Sequence, residues 1–119
     1  MAHIVGKLAD DKKAIDIIIM DMAGLTDIAD YFVIASGTGE RHVRTIADGI
    51  RDGMKEQQAR PAAAEGYDEG RWIILDYQNV IVHIFLQSLR ELYDLESLWI
   101  EAKKQRIKIE NKDIEVGNE

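Results

Sequence analysis

A short loop of small residues, Ser36-Gly37-Thr38-Gly39-Glu40, lies between a predicted strand and a predicted helix and is a candidate phosphate-binding site. Free backbone amides at the start of a helix can bind an anion. A dinucleotide fingerprint, however, requires glycine where this chain has His42, and no Gly-Lys-Ser/Thr follows to complete a P-loop. We therefore interpret the loop as a tight turn followed by a helix N-cap, with nucleotide binding as the alternative.

The acidic residues near predicted strand ends are a second candidate for chemistry, because metal-assisted phosphoryl transfer needs carboxylates that converge on divalent cations. Asp21, Asp27, Asp30 and Asp76 are scattered, and no Asp-x-Asp occurs on a predicted strand. Isolated acids of this kind typically stabilise turns or lie in solvent. The sequence therefore predicts no metal site and no phosphoryl-transfer catalysis.

Three histidines are the remaining candidates for catalysis or metal binding. His3, His42 and His83 are far apart in sequence, and no two of them have the i, i+4 spacing of a helical zinc site. The chain has no cysteine, which excludes thiolate nucleophiles and thiolate metal sites. His83 shares a strand face with Ile81 and Phe85, so we predict a buried, hydrogen-bonded histidine, with contact to a partner as the alternative. His42 is predicted on a helix surface.

Aromatic residues beside acids indicate a different kind of site. Alternation along a strand places Trp72 and Asp76 on one face and Leu75 and Tyr77 on the other. An acid on the face of Trp72 predicts that this face is not wholly buried. Trp and Tyr are enriched at interface hot spots, although packing of Trp72 under the C-terminal helix explains it equally well. For Tyr93-Asp94-Leu95-Glu96 the residues alone favour a core-facing tyrosine beside a solvated acidic face.

The elements that position these residues follow from apolar periodicity. The run Asp16–Asp21 is apolar and β-branched, which predicts a central strand covered on both faces. The Gln78-Asn79 turn needs positive φ, which Gln disfavours, so a longer loop or bulge is an alternative to a two-residue turn. In order, we predict a helix over about 2–13, strands over 16–21 and 31–35, a helix with the stripe Val43, Ile46, Ala47, Ile50 and Met54, an edge strand or connector over 61–66, a hairpin over 72–77 and 80–85, and a helix from a Ser88–Glu91 capping box to Trp99.

Composition bounds the function further. With 119 residues the chain fits one domain, and its order of elements predicts an α/β fold with a mixed sheet. Its 15 basic and 22 acidic side chains give a formal charge of −7, which argues against binding nucleic acid by neutralising phosphates and suits a basic partner. The apolar runs are too short to predict a membrane span, and the N-terminus lacks a signal-peptide pattern. We expect a cytoplasmic protein.

Several linked motifs occur in order along residues 13–100. They are Ala29-Asp30-Tyr31-Phe32-Val33-Ile34-Ala35-Ser36-Gly37-Thr38, Arg41-His42-Val43, Glu65-Gly66, Gly70, Trp72, Leu75-Asp76-Tyr77, Val82-His83-Ile84-Phe85 and Arg90-Glu91-Leu92-Tyr93-Asp94-Leu95-Glu96-Ser97-Leu98-Trp99. Together they closely resemble the ribosomal silencing factor (Iojap) family, and the likeness covers almost the whole predicted domain.

This resemblance implies a nucleotidyltransferase-like α/β domain, which we assign to residues 1–102. The stretch over 103–119 goes beyond the shared core, and its high charge predicts a C-terminal extension. The resemblance also implies a translation factor that is not an enzyme and uses no cofactor. Such a factor docks on large-subunit ribosomal protein L-fourteen, blocks joining of the small subunit and silences translation when nutrients are scarce. Family membership also implies a homodimer off the ribosome.

The resemblance also assigns docking residues. The aromatic side chains and Leu75 would fill apolar contacts, whereas Asp76 and Asp94 would pair with Lys or Arg of the partner. The full set is Trp72, Leu75, Asp76, Tyr77, Tyr93 and Asp94. This chain has Gln78 where the family usually has Gly, and its N-terminal helix is shorter and less rich in Leu.

Two alternative functions remain. One is a nucleotidyltransferase-like enzyme that uses residues 36–40, and the other is a scaffold whose aromatic face is its own dimer interface.

Overall fold

One mixed sheet organises the computed structural model, which describes residues 1–107. Its six strands lie in the order β3-β4-β5-β2-β1-β6, with β2 and β5 parallel and the other neighbours antiparallel. The predicted α/β fold with a mixed sheet is confirmed. The elements are α1 (Ala2–Asp11), β1 (Ile15–Asp21), β2 (Tyr31–Gly37), α2 (Glu40–Glu56), β3 (Ala63–Glu65), β4 (Trp72–Asp76), β5 (Val80–Leu86), α3 (Gln87–Tyr93), α4 (Leu95–Leu98) and β6 (Lys103–Arg106).

Helices α1 and α2 cover one face of the sheet and enclose the larger part of the core. All five residues of the predicted apolar stripe of α2 are buried there. The two helices approach closely because Gly53 lies against the side chain of Leu8, where a Cβ would overlap it. None of the helices between residues 1 and 107 combines the length and apolarity needed to cross a membrane.

The opposite face of the sheet carries a smaller core that the short helices α3 and α4 cover only in part. Strand β1 contributes to both cores, because Ile17 and Ile19 face α1 and α2 whereas Ile18 and Met20 face the other way. The prediction of a central strand covered on both faces is therefore confirmed. The edge strand expected near residues 61–66 is also confirmed as β3.

The capping box predicted at Ser88–Glu91 is wrong. Strand β5 passes directly into α3, so Leu86 is the N-cap, no side chain caps the helix, and Ser88 lies inside the first turn. The predicted continuous helix to Trp99 is also wrong. Asp94 adopts the left-handed conformation (φ 47°, ψ 54°) and separates α3 from α4, which leaves Leu92 73% exposed instead of on a buried stripe.

The hairpin between β4 and β5 has the longer connection that the sequence left open. Three residues, 77–79, join the strands, and Gln78 adopts a positive φ of 74°. The Gln78 amide donates to Oδ1 of Asp76 at 2.8 Å. This side-chain bond stabilises a turn conformation that Gln rarely adopts alone.

The charged C-terminal stretch differs from expectation over residues 103–106. These residues form β6, which pairs antiparallel with β1 from Lys103 opposite Asp21 to Arg106 opposite Ile18. All four side chains are exposed, and charged residues of this kind protect a sheet edge against further pairing. The rest of the predicted extension, residues 108–119, lies outside the described residues.

Candidate protein-interaction face

Within the described part of the chain, six rings form a connected cluster on the sheet face opposite α1 and α2, with centroids 4.8 to 6.3 Å apart along the connections. Strand register creates the cluster, because Trp72 pairs with Phe85, and His83 lies two residues before Phe85 on the same face of β5. We call this cluster the aromatic face; its members are Phe32, Trp72, His83, Phe85, Tyr93 and Trp99.

Trp72 lies at the centre of the exposed part of this face. Its ring stacks on Phe85 at 4.8 Å, and the ring of Tyr93 lies 4.8 Å away at a tilt of 40°. Trp72 is half-buried, whereas Tyr93 is 50% exposed. Further large apolar side chains of the same C-terminal segment, Leu92, Leu98 and Ile100, are also exposed. Large apolar side chains next to half-covered aromatic rings are typical of a surface that another macromolecule covers.

His83 is buried beneath Trp72 and hydrogen-bonded to it, as predicted. The indole Nε1 of Trp72 donates to Nδ1 of His83 at 3.2 Å. Burial lowers the pKa of His83 to about 4. At neutral pH the imidazole is therefore uncharged, and its proton lies on Nε2, which has no hydrogen-bond partner within residues 1–107. A neutral acceptor at this position holds the indole in a fixed orientation.

The structure brings together three of the six predicted docking residues. Trp72 contacts Tyr93, and Asp94 follows Tyr93 at the exposed turn between α3 and α4. Asp76 shares the strand face of Trp72, but it lies four residues further along β4, about 13 Å away at the usual rise of a strand. One of its oxygens already accepts the Gln78 amide.

Leu75 and Tyr77, the remaining two residues of the predicted docking set, lie on the opposite face of the sheet. Both side chains are buried in the core under α2, and Leu75 has no exposed surface. Burial raises the pKa of Tyr77. The alternation of β4 separated these residues from Trp72 already at the level of sequence, whereas the docking set taken from the family resemblance combined both faces.

The small-residue loop before α2 is a tight turn with Gly39 as the N-cap, as predicted. One amide of the loop is not free to bind an anion, because the Thr38 N–H donates to Nδ1 of His42 at 2.9 Å. The other ring nitrogen, Nε2, lies 2.9 Å from the carbonyl oxygen of Lys12. His42 thus links the end of α1 to the start of α2, a role that its predicted place on the helix surface did not include.

A polar cavity of about 180 Å³ adjoins the turn that carries Asp94. Its lining includes Arg90, which is 7% exposed and whose guanidinium is paired with Glu96. This pair has no signal in the sequence, because a spacing of six residues is not a helical contact and the two side chains meet only through the break at Asp94. Within residues 1–107, no group of three or more His, Asp or Glu side chains is arranged to hold a metal.

Comparisons with known proteins agree on one family. The model of the family described as "Ribosomal silencing factor during starvation" matches residues 1–119. A Bacillus subtilis protein named ribosomal silencing factor RsfS is 40% identical over 99 residues, covering 83% of this chain and 84% of that protein. A mouse protein named "Mitochondrial assembly of ribosomal large subunit protein 1" is 32% identical over 95 residues, covering 77% of this chain and 42% of that protein. A crystal structure from Chromobacterium violaceum has a TM-score of 0.80 at 31% identity and covers 82% of each chain.

Proposed function

This chain belongs to the ribosomal silencing factor family, and on that premise we propose that it represses translation by occupying the large ribosomal subunit. The contact is with ribosomal protein L-fourteen, at the face where the small subunit joins. A bound copy blocks joining sterically. The observation that carries the proposal is the half-covered aromatic face, with Trp72 at its centre and Tyr93 and Asp94 exposed beside it.

The chemistry of this face supports a protein contact. A standard interface buries roughly 800 Å² on each partner, and its binding energy is concentrated in a few Trp, Tyr or Arg side chains. Trp72 and Tyr93 supply two such anchors in direct contact with each other. Leu92 and Leu98 of the same C-terminal segment are also exposed apolar side chains.

Charge supports a basic partner. The chain carries a formal charge of −7, and Asp94 lies exposed beside the aromatic anchor Tyr93. Ribosomal proteins are typically basic, so the acidic factor is attracted to the protein and repelled by the surrounding phosphates. Asp94, and at a greater distance the free oxygen of Asp76, pair with Lys or Arg of L-fourteen. The name of the mouse relative refers to the large ribosomal subunit, which supports binding to that subunit.

Steric occlusion needs no turnover, so the proposed factor is not an enzyme and has no cofactor. It acts in the cytoplasm, under nutrient limitation, and forms a homodimer when it is not on the ribosome. We favour no second function.

The proposal is tested by sucrose-gradient sedimentation of separated ribosomal subunits, with and without the protein, at a magnesium concentration that favours joining. We expect the protein to sediment with the large subunit and the joined peak to shrink. A joined peak that persists, with no protein in the large-subunit fractions, refutes the proposal. Gradients with subunits that lack L-fourteen identify the contact, because binding to them must be lost.

Removal of the central anchor gives the first prediction about a residue. We expect Trp72→Ala to weaken binding to the large subunit by more than about 2 kcal/mol, because truncation of a hot-spot aromatic commonly costs that much. The matched control is Tyr31→Ala, which removes a partly exposed aromatic side chain of β2. Tyr31 lies on the other sheet face, two residues from Val33 of the larger core.

Affinity is measured by quantitative co-sedimentation, and circular dichroism checks that both variants are folded. Equal affinity of folded Trp72→Ala and wild type would show that Trp72 is not an anchor. The same variant tests the scaffold alternative by sedimentation velocity. If the aromatic face were the dimer interface, Trp72→Ala would be monomeric, whereas we expect the dimer to persist.

A further inference from the structure

We propose that Arg90 is a positioning residue for the aromatic face. Through its ion pair with Glu96 it fixes the turn at Asp94, and this turn holds Tyr93 against Trp72. The inference rests on the proposed function for its consequence in binding, but the geometry that it describes belongs to the free protein and is tested there separately.

The guanidinium of Arg90 joins three elements of the fold. Its Nε and Nη2 donate to Oε2 of Glu96 at 3.2 and 3.0 Å. Its Nη1 donates to Oγ of Ser36 at 2.9 Å and to the carbonyl oxygen of Ile15 at 3.3 Å. Arg90 on α3 is thereby tied to β1, to β2 and to α4. A planar guanidinium can make bonds in these separate directions at once, whereas a lysine ammonium on a flexible chain cannot match the same geometry.

Burial makes this ion pair a strong geometric constraint. The side chain of Arg90 is 8% exposed and that of Glu96 is 26% exposed. An uncompensated charge at such a site is costly, so the protein must keep the two groups together as long as Arg90 remains buried. Surface ion pairs such as that between Lys7 and Asp11, which are exposed at both ends, impose no such constraint.

The segment between Arg90 and Glu96 needs an external constraint to keep its shape. Helix α3 has seven residues and α4 has four, and helices this short are not stable without tertiary contacts. Between them Asp94 holds a left-handed conformation (φ 47°), which is unfavourable for a residue with a side chain. The Asp94 amide donates to the carbonyl oxygen of Arg90 at 2.8 Å, so Arg90 holds both its own end of the turn and, through Glu96, the far end.

Tyr93 lies inside this closed segment and depends on it. Half of the side chain is exposed, and its ring contacts are with Trp72 at 4.8 Å and Phe85 at 6.1 Å. If the turn loosens, Tyr93 no longer covers Trp72. In the free protein the two rings are then no longer held in the arrangement that a partner would bind. The partner must then order them on binding, which weakens affinity.

The first test measures how accessible Trp72 is in the free protein. A Trp99→Phe background leaves Trp72 as the single tryptophan of the chain. In that background we expect Glu96→Gln and Arg90→Lys to raise acrylamide quenching of the Trp72 fluorescence by at least about twofold, because the ring loses the cover of Tyr93. The control is Glu91→Gln, which removes an equal charge from an exposed position next to Arg90. Quenching that is the same in all variants overturns the proposal.

The second test measures binding of large subunits in a double-mutant cycle. We expect Glu96→Gln to weaken binding about tenfold when Tyr93 is present and to have no further effect in a Tyr93→Ala protein, because coupled residues are not additive. Additive losses show that Glu96 acts independently of Tyr93 and overturn the proposal. If wild type does not bind large subunits at all, the proposed function fails, while the quenching result still decides the role of Arg90. Glu96→Gln keeps the positioning role testable if Arg90→Lys fails to fold.

Discussion

The side chain of Trp72 combines two contacts with opposite requirements. Its ring faces lie against Phe85 and Tyr93, which favours apolar surroundings, while its Nε1 needs an acceptor. His83 supplies that acceptor only in its neutral form, because a protonated imidazole has a donor on both nitrogens. The orientation of the central anchor therefore depends on the protonation state of one buried histidine.

This dependence predicts how stability varies with pH. The folded protein holds His83 at a pKa of about 4, whereas an unfolded histidine titrates near 6.5. Below about pH 6.5 the unfolded chain binds a proton that the folded protein does not, so stability falls as pH falls. Between about pH 7.5 and about pH 5 we expect the free energy of unfolding to decrease by about 2 kcal/mol on account of His83.

Urea denaturation across this pH range measures the effect, and His83→Gln is the matched variant. Glutamine keeps an acceptor for the indole but does not titrate. His3 and His42 are present in both proteins, so their contributions cancel in the difference. Parallel pH profiles for wild type and variant would contradict the prediction.

At the scale of elements, the C-terminal segment that contains α3, α4 and β6 departs from what its local sequence patterns predict. The capping box and the apolar stripe of the last helix are local signals, and both were overridden. Strand β5 continues without a break into α3, and the ion pair between Arg90 and Glu96 lies across a turn that no helical spacing predicts. The short β6 is a similar case, because its charged residues have no strand pattern and pair only because β1 offers a free edge.

The exit of the chain from β3 passes through Gly66, where the backbone requires a glycine. Gly66 has a φ of +84°, and a Cβ there would overlap the carbonyl oxygen of Trp72. We expect Gly66→Ala to lower the free energy of unfolding by more than about 2 kcal/mol, through a backbone conformation and a close approach that L residues rarely tolerate. The control is Gly39→Ala, at φ −155° with open space around it, which should cost less than about 1 kcal/mol. Similar losses measured by urea denaturation would contradict the assigned role of Gly66.

Pairing of β6 with β1 predicts how truncation of the C-terminus changes stability. A chain that ends at residue 102 loses four paired positions along β1 and the packing of Ile107 on the larger core. At about 0.5–1.5 kcal/mol for each hydrogen bond, we expect it to be less stable by at least about 2 kcal/mol and more prone to aggregate through the exposed edge of β1. A chain that ends at residue 107 is the control and should resemble the full-length protein. If both truncated chains were equally stable, the domain would end at 102, as the sequence pattern suggested.

At the scale of the whole molecule, the sheet separates a covered side from a partly open side. Two longer helices close the larger core, whereas two short helices leave aromatic rings at the surface on the other side. This asymmetry, together with a net charge of −7, favours a protein that meets a basic partner with one face. Within residues 1–107 the protein presents no group of three or more His, Asp or Glu side chains arranged to hold a metal ion.

The nucleotidyltransferase-like alternative is tested on the intact protein. We expect millimolar ATP with magnesium to leave the melting temperature unchanged, because the Thr38 amide of the loop is already bonded to His42. A nucleotide at a hundred times its dissociation constant would add about 2.7 kcal/mol of stability, which a thermal melt detects. Magnesium alone and ATP alone are the controls. Stabilisation that requires both would restore the enzymatic alternative.

Periodicity along the chain is enough to predict the fold class, strands β1 to β5, the covered stripe of α2 and the burial of His83, because each depends on a repeat that local chemistry sets. The sequence also carried the family, through motifs spread over most of the chain. Long-range packing, in contrast, sets the burial of Leu75 and Tyr77, the break of the last helix at Asp94, the pairing of residues 103–106 with β1 and the contact between Arg90 and Glu96. These features depend on which distant surfaces lie together, since burial of a charge and pairing of an edge strand are determined by neighbours that are remote in the chain.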